Sequence, residues 1–297
     1  MNREWAIGID VGGTKIEGSL IHRSGEVETT LRLSSPSQNK DLLDAIVDMV
    51  YQLKSKHPIA GVGFSIPGSL NPKTGLLRNA PNSPAINGTP LAHNLKERLP
   101  YLLAFENDAN CLAMSEFQFG AWNKLNITGI ILGTGVGVGV VHNGELFHTP
   151  RGLAPEPGHL PLNVHGRPCL CGNKGCVEAY LSGPSILKRY QEAGGTAGDV
   201  QAIFENRDGD ELAQQILKDT EILFARFLAM LVSVYDPEMF VLGGGLSKQP
   251  MFYQQEELIA RFTFGSDNAP PVKAAQAGDA SGKLGAASLI FNEIETG

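Results

Sequence analysis

Apolar runs with strand spacing alternate with amphipathic stretches along the chain. AIGIDVGGTKIEGSLIH, residues 6–22, predicts two strands joined by a tight glycine turn. GVGFSIPGSL, residues 61–70, predicts a buried strand that ends at Pro67 and Gly68. Between them, apolar residues recur at helical spacing in residues 40–57, which predicts a helix with one face on a sheet. This alternation is typical of an α/β domain.

The rest of the chain repeats part of this pattern. YLLAFENDAN, residues 101–110, predicts a strand that runs into a loop, with a helix beginning near Ala109. GIILGTGVGVGVVHNGELF, residues 129–147, is similar to the opening strand pair and indicates a weak internal repeat. Residues 150–183 are rich in Pro, Gly, Cys and His and predict an irregular insertion. After it, the pattern predicts a long helix over about residues 210–235, a strand in MFVLGGGLS and a closing helix in SGKLGAASLIFNEI.

Composition and charge narrow the classes of function. A chain of 297 residues with 42% hydrophobic content can bury the core of one large domain or two ordinary ones. Its formal net charge of -7 argues against nucleic acid or an acidic membrane as a partner. No cationic leader precedes an apolar core at the amino terminus, and no window approaches the about 20 apolar residues of a membrane-spanning helix. We therefore expect a soluble, cytoplasmic protein.

Three glycine turns follow three apolar strands and are the strongest chemical signal. Glycine lets backbone amides approach a phosphate closely, and Thr14 and Lys15 add a hydroxyl and a cation. Asp10 fits beside a phosphate if a magnesium ion or an attacking group lies between them. Neither the Walker nor the dinucleotide pattern is present, and an ordinary β-hairpin is the alternative for the first turn. The candidate phosphate-binding residues are Asp10, Gly12, Gly13, Thr14, Lys15, Gly133, Thr134, Gly135, Gly243, Gly244 and Gly245.

A further candidate carboxylate stands at the end of the strand predicted in residues 101–107. Asp108 lies where residues 101–107 meet the following helix, at the carboxyl end of a strand where open α/β folds bind ligands. A carboxylate within hydrogen-bond reach of a hydroxyl can remove its proton. Aspartate is also a favoured helix N-cap, and position alone leaves both roles open.

One imidazole and three thiols occur close together and predict a metal site. His159, Cys169, Cys171 and Cys176 suit a closed tetrahedral Zn²⁺ site. Four protein ligands leave no position for a catalytic water, so the site would be structural. A disulfide is disfavoured because the thiols of Cys-Leu-Cys cannot readily pair and cytosolic thiols stay reduced.

The motifs resemble those of a known family. GIDVGGTK, ILGTGVGVG and VLGGGLS resemble the two phosphate motifs and the adenosine motif of actin-like sugar kinases, and CLCGNKGCVE resembles the cysteine motif of the ROK family of bacterial sugar kinases. The resemblance covers nearly the whole chain. It implies an α/β, two-lobed actin-like ATPase (ribonuclease H-like) fold with a ligand cleft between the lobes. The implied domains are a small one over residues 1–118, completed by a C-terminal helix over 281–297, and a large one over 119–280 with a zinc-binding loop over 156–178.

The same resemblance implies an activity and its residues. The expected enzyme is an ATP-dependent sugar kinase that uses catalytic Mg²⁺ and structural Zn²⁺ and transfers the γ-phosphate to a hexose hydroxyl, the 6-hydroxyl. Asp108 in the NDAN segment matches the catalytic base. Pro155 and Pro157 flank Glu156, where the family usually has Gly before the glutamate, so we expect a stiffer loop or a different sugar face. The implied sugar-binding residues are Gly68, Asn82, Asn107, Asp108, Glu156, His159 and Glu178.

The specific sugar and the rival classes are separate questions. IPGSLNPKTGLLRNA favours an unmodified hexose of the fructose, mannose or glucose type, whereas GCVEAYLSG fits kinases of N-acetylglucosamine, or N-acetylmannosamine, equally well. ROK repressors resemble the kinases behind an added DNA-binding domain, for which a phosphate strand starting at Trp5 leaves no room. Retention of Asp108, Thr14 and the three turns argues against a non-catalytic sugar-binding regulator. The resemblance also implies a homodimer.

Overall fold

The computed structural model describes residues 4–120, 122, 124–153, 155–265 and 268–296 of the chain. The chain divides into two compact units. Unit 1 comprises Met1–Asn123, Glu145–Ala154 and Gln276–Gly297, and unit 2 comprises Lys124–Gly144 and Pro155–Ala275.

The regular elements alternate as the sequence pattern predicts. The strands are β1 (Trp5–Val11), β2 (Lys15–His22), β3 (Val27–Ser34), β4 (Gly61–Ile66), β5 (Ser69–Leu70), β6 (Leu77–Arg78), β7 (Leu102–Asn107), β8 (Ile127–Leu132), β9 (Val136–His142), β10 (Glu145–Leu146), β11 (Met239–Gly243) and β12 (Val272–Ala274). The α-helices are α1 (Asn39–Leu53), α2 (Leu91–Lys96), α3 (Asp108–Phe119), α4 (Glu178–Leu181), α5 (Gly183–Glu192), α6 (Val200–Glu205), α7 (Glu211–Tyr235), α8 (Glu256–Phe262) and α9 (Ser281–Thr296). Short 3-10 turns lie at Pro157–His159, Arg207–Gly209, Gly245–Lys248, Pro250–Phe252 and Gly278–Ala280.

Unit 1 is built on a mixed sheet of strand order β3-β2-β1-β4-β7. Strands β1, β2 and β3 form an antiparallel meander, and β4 and β7 continue the sheet in parallel with β1. A Cβ at Gly8 would lie 1.9 Å from the carbonyl oxygen of Lys283, and one at Gly63 would lie 1.8 Å from that of Ala286. Helix α9 therefore packs on β1 and β4 at a distance that only glycine permits.

Unit 2 repeats the same plan. Strands β8 and β9 form an antiparallel hairpin, and β11 and β12 extend it in parallel with β8. Helix α7 supplies Phe224, Phe227 and Leu228 to the core, all fully buried. Its N-cap Asp210 accepts hydrogen bonds from the amides of Leu212 and Ala213, the usual way to satisfy the first turn of a helix. The internal repeat indicated by the sequence is thus a repeat of sheet topology.

Among the described residues, the structure has no helix with enough length and apolar character to cross a membrane.

Candidate functional site

The first glycine turn joins β1 to β2 in unit 1. The amide of Gly12 donates to the carbonyl of Lys15 at 2.9 Å, and Gly13 and Thr14 are exposed. A Cβ at Gly13 would lie 2.1 Å from the carbonyl oxygen of Asn82. The backbone of the turn therefore packs directly on the segment that carries a predicted sugar-binding residue, and glycine is required for this approach.

Asp10 lies beside this turn at the end of β1. One of its carboxylate oxygens accepts a hydrogen bond from Ser65 Oγ at 2.8 Å. Burial raises the pKa of the Asp10 carboxyl, against the opposing effects of Ser65 and Lys15. A Cβ at Gly282 would lie 2.9 Å from the Asp10 carboxylate, so glycine at this position lets the start of α9 pack closely against that side chain. A fixed, poorly hydrated carboxylate beside a glycine turn that can bind phosphate fits a divalent cation.

Asp108 is the first residue of α3, immediately after β7. Asn107 forms the N-cap, and its Oδ1 accepts from the amide of Ala109 at 2.9 Å. Asp108 Oδ1 accepts from the same amide at 2.9 Å, so the helix start has two capping groups. Asn107 Nδ2 donates to the carbonyl of Gly68 at 2.9 Å. Asn107 is thus the N-cap of α3, the role that position alone also allowed for Asp108. Gly68, Asn107 and Asp108, three of the predicted sugar-binding residues, lie close together in unit 1.

A buried thiol lies among the acidic residues of unit 1. Cys111 is fully buried in α3, and burial raises the pKa of its thiol well above the ordinary value. The negative charges of Glu106, Asp10 and Asp108 raise the pKa further. All three carboxylates therefore lie near enough to act on one side chain, which places Asp10 and Asp108 in the same part of the unit. Cys111 itself is unreactive in these surroundings.

Two residues of this region are not predicted as site residues from the sequence. Glu106, the residue before the NDAN segment, has a largely buried carboxylate that accepts from the amide of Asn107 at 2.8 Å and from Asn110 Nδ2 at 2.9 Å. His148, from the segment after β10, contacts the other carboxylate oxygen at 2.7 Å. In the sequence, the signal available for Glu106 is an acidic residue at the end of an apolar strand. No local pattern marks its contact with His148.

The second glycine turn joins β8 to β9 in unit 2. Within it, the amide of Gly133 donates to the carbonyl of Gly135 at 3.0 Å. Glu178 Oε2 accepts from the amide of Val136 at 3.0 Å, and a Cβ at Gly135 would lie 2.7 Å from that oxygen. The turn therefore holds the Glu178 carboxylate against its own backbone.

The third glycine turn follows β11 in the same unit. Gly244 has φ +84, a left-handed conformation that favours glycine, and a Cβ there would lie 2.4 Å from the carbonyl oxygen of Leu132. A Cβ at Gly133 would have the amide nitrogen of Gly245 as its nearest neighbour, at 3.9 Å. The structure thus brings the second and third turns together, as parallel neighbouring strands would require.

Glu156 and His159 lie at the short helical turn Pro157–His159. The amide of His159 donates to the carbonyl of Glu156 at 3.1 Å. Pro155 is buried, whereas the residue Glu156 is exposed overall. Partial shielding from water raises the pKa of the Glu156 carboxyl, His159 opposes this, and Glu178 adds to it. These three predicted sugar-binding side chains therefore lie within electrostatic reach of each other.

The cysteine-rich segment forms a compact group of ligand-type atoms. Those of His159, Cys169, Cys171 and Cys176 all lie within 4.8 Å of one another. Cys169 Sγ is 3.6 Å from His159 Nδ1, and Cys171 Sγ is 3.6 Å from Cys176 Sγ. These separations are too long for a disulfide, and all the cysteines are free. They are close to the about 3.8 Å between thiolates on one tetrahedral zinc ion, so the set fits that metal.

The chain is similar in sequence and in fold to proteins of one known family. The model of the ROK family matches residues 6–293. The N-acetyl-D-glucosamine kinases of Pasteurella multocida and Mannheimia succiniciproducens are 35% and 34% identical to the chain, over 96% of it and 99% of each relative. A ROK hexokinase from Thermus thermophilus has a TM-score of 0.89 at 28% identity, covering 99% of this chain and 100% of the other. A ROK glucokinase from Streptomyces griseus, solved with glucose and AMPPNP, has a TM-score of 0.77 at 29% identity over 97% and 99%. The predicted α/β, actin-like ATPase class of fold is confirmed.

Proposed function

The chain belongs to the ROK family, and we propose that it is an ATP-dependent sugar kinase whose acceptor is N-acetyl-D-glucosamine. The observation that carries the choice of sugar is the 35% identity to an N-acetyl-D-glucosamine kinase over nearly the full length of both chains. The expectation of an unmodified hexose has weaker support, because the hexokinase and glucokinase neighbours are 28% and 29% identical. N-acetyl-D-glucosamine, the alternative acceptor that the sequence left open, therefore has the better support.

Nucleotide binding would use the three glycine turns. Gly13 and Thr14 are exposed residues whose amides would donate to phosphate oxygens, and the ammonium of Lys15 adds a cation. Asp10 would hold Mg²⁺, which supplies charge neutralisation to the phosphates when bound. The full set assigned to ATP is Asp10, Gly12, Gly13, Thr14, Lys15, Gly133, Thr134, Gly135, Gly243, Gly244 and Gly245.

Asp108 would act as the general base. Its carboxylate accepts the proton of the sugar's 6-hydroxyl while the oxygen forms a bond to the γ-phosphorus and ADP leaves with the electrons of the broken bond. The hydrogen bond from Asn107 to Gly68 fixes the segment on which the base stands. Sugar hydroxyls would be bound by Gly68, Asn82, Asn107, Glu156, His159 and Glu178.

Structural zinc is proposed for His159, Cys169, Cys171 and Cys176. These ligands would fix the segment that carries His159, and with it Glu156. The homodimer, the cytoplasmic location and the domain limits at 118 and 280 stay predictions.

Turnover with a panel of sugars tests the proposal. The purified protein is assayed with ATP and Mg²⁺ against N-acetyl-D-glucosamine, N-acetylmannosamine, glucose, mannose and fructose. We expect kcat/KM to be higher for N-acetyl-D-glucosamine than for any unmodified hexose by about tenfold or more. 6-Deoxy-N-acetylglucosamine is the matched control and should give no turnover. A higher value for a hexose would overturn the choice of sugar, and no turnover with any sugar would overturn the kinase assignment.

A further inference from the structure

Two lysines share one buried glutamate beside the first phosphate turn. Lys15 Nζ lies 2.5 Å from Glu17 Oε2, and Lys283 Nζ lies 3.2 Å from Glu17 Oε1. The side chains of Glu17 and Lys283 are 11% and 9% exposed, whereas that of Lys15 is 36% exposed. The carboxylate is thus held between a buried ammonium and one that reaches the surface at the turn.

The fold brings these groups together from the first two strands and the last helix of unit 1. Lys15 and Glu17 are two positions apart on β2 and so point to the same face of the sheet. Asp10 lies opposite Glu17 in the β1–β2 register. Lys283 enters from the first turn of α9, whose backbone is pressed against β1 at Gly8. Two carboxylates and two ammonium groups therefore form one cluster of zero formal charge.

Lys15 has two competing partners in this arrangement. It can pair with Glu17, as it does here, or with a phosphate at the adjacent turn. A buried carboxylate that loses its only cation is strongly destabilised, because nothing then offsets the loss of its hydration. If Lys15 were the sole partner, each nucleotide bound would leave Glu17 unpaired. Lys283 removes this penalty, because it stays beside Glu17 from within the core.

We propose that Lys283 is a positioning residue for nucleotide binding: it neutralises Glu17 so that Lys15 can leave that carboxylate and bind a nucleotide phosphate. The proposal rests on the assignment of the first turn to ATP. Lys283 contacts Glu17. Its effect on nucleotide binding is indirect, because it determines whether Lys15 can leave Glu17.

A pair of variants separates this role from a merely structural one. The affinity for ADP with Mg²⁺ is measured by calorimetry, with no sugar present. Lys283→Met keeps the apolar stem and removes the charge, so Lys15 should be held by Glu17 and the Kd should rise by about tenfold. Glu17→Gln together with Lys283→Met releases Lys15 again, and the Kd should return to within about threefold of wild type. Lys40→Met, which removes an exposed ammonium paired with Asp44, is the control and should change nothing.

Glu17→Gln alone keeps the test decisive if Lys283→Met fails to fold. With a neutral amide at position 17, Lys15 is free, and nucleotide binding should be unchanged or tighter. Binding weakened about tenfold by Glu17→Gln would show that Glu17 serves to place Lys15, and would overturn the proposal. A double variant as weak as Lys283→Met would do the same. Turnover of the wild-type protein with the sugar panel tests the kinase assignment separately, since the calorimetry uses no sugar.

Discussion

His148 Nε2 lies 2.7 Å from Oε2 of the largely buried Glu106. Glu106 is also bonded to the amide of Asn107, the residue next to the proposed base. The contact therefore holds the segment after β10 against the end of β7, directly before Asp108.

This pair should make stability depend on pH. Burial raises the pKa of Glu106, but the hydrogen bonds from His148, Asn110 and Asn107 outweigh it, and the pKa is lowered from 4.5. The hydrogen bond to Glu106 raises the pKa of His148 from 6.5. The Glu106 contribution is present above pH 4.5 and lost as pH falls through its lowered pKa, and that of His148 is present below pH 6.5 and lost as pH rises through its raised pKa. The pair thus stabilises most between these values.

His148→Gln tests this dependence. Because the His148 side chain is 66% exposed, solvent screening limits the loss of unfolding free energy to about 1 kcal/mol or less. Urea unfolding midpoints should differ most from wild type near the middle of that pH range and converge in alkaline solution. His93→Gln, at an exposed pair with Glu97, is the matched control and should have a smaller effect. An equal difference in unfolding midpoint between His148→Gln and wild type at acidic and alkaline pH would contradict the stabilising role of the Glu106–His148 pair.

Asp108→Asn should abolish most turnover and keep the fold. The amide oxygen of asparagine can still accept the hydrogen bond from Ala109, so the start of α3 is preserved. Loss of the base should lower kcat by about 10²- to 10⁴-fold, while the Kd for ADP with Mg²⁺ stays near wild type. Asp41→Asn, an exposed change on α1, is the control. Near-normal kcat in Asp108→Asn would remove Asp108 as the base.

The zinc content of the protein should depend on the cluster of His159, Cys169, Cys171 and Cys176. We expect about one zinc ion per chain by elemental analysis of the purified protein. Cys176→Ser should lose the zinc and lower the Tm, because the folded segment depends on the metal for its cross-links. Cys111→Ser, at a buried cysteine in α3 outside this cluster, should keep the zinc. A folded wild-type protein with well under one zinc per chain would refute the site.

Replacing Gly135 by alanine should weaken sugar binding, and replacing Gly133 should weaken it much less. A Cβ at Gly135 would lie 2.7 Å from Glu178 Oε2, so Gly135→Ala must push that carboxylate away. We expect the KM for the sugar to rise by about tenfold, since small displacements of binding groups are costly. Gly133→Ala, whose Cβ would meet nothing closer than 3.9 Å, is the matched control. Equal sugar KM values in the two variants would argue against Glu178 as a sugar ligand.

The elements predicted from sequence are those with strong hydrophobic signals. Strands β1, β2, β4, β7 and β11 are apolar runs, and α1, α7 and α9 were expected close to their observed bounds. The sequence pattern does not predict β3, because its exposed face is polar and its partly buried positions are few. The sequence pattern does not predict α2 and α6 either, because six residues are too few to show a clear helical period.

The sequence by itself determined the family, the alternation of strands and helices, the three glycine turns and the composition of the cysteine cluster, because each is a local pattern of residue types. Only the tertiary structure decided which charges meet. Lys283 and Glu17 are 266 positions apart, and Glu106 and His148 are 42 apart. Such contacts depend on how α9 and the segment after β10 pack in unit 1, and side-chain packing over long sequence separations leaves no periodic signal in the chain.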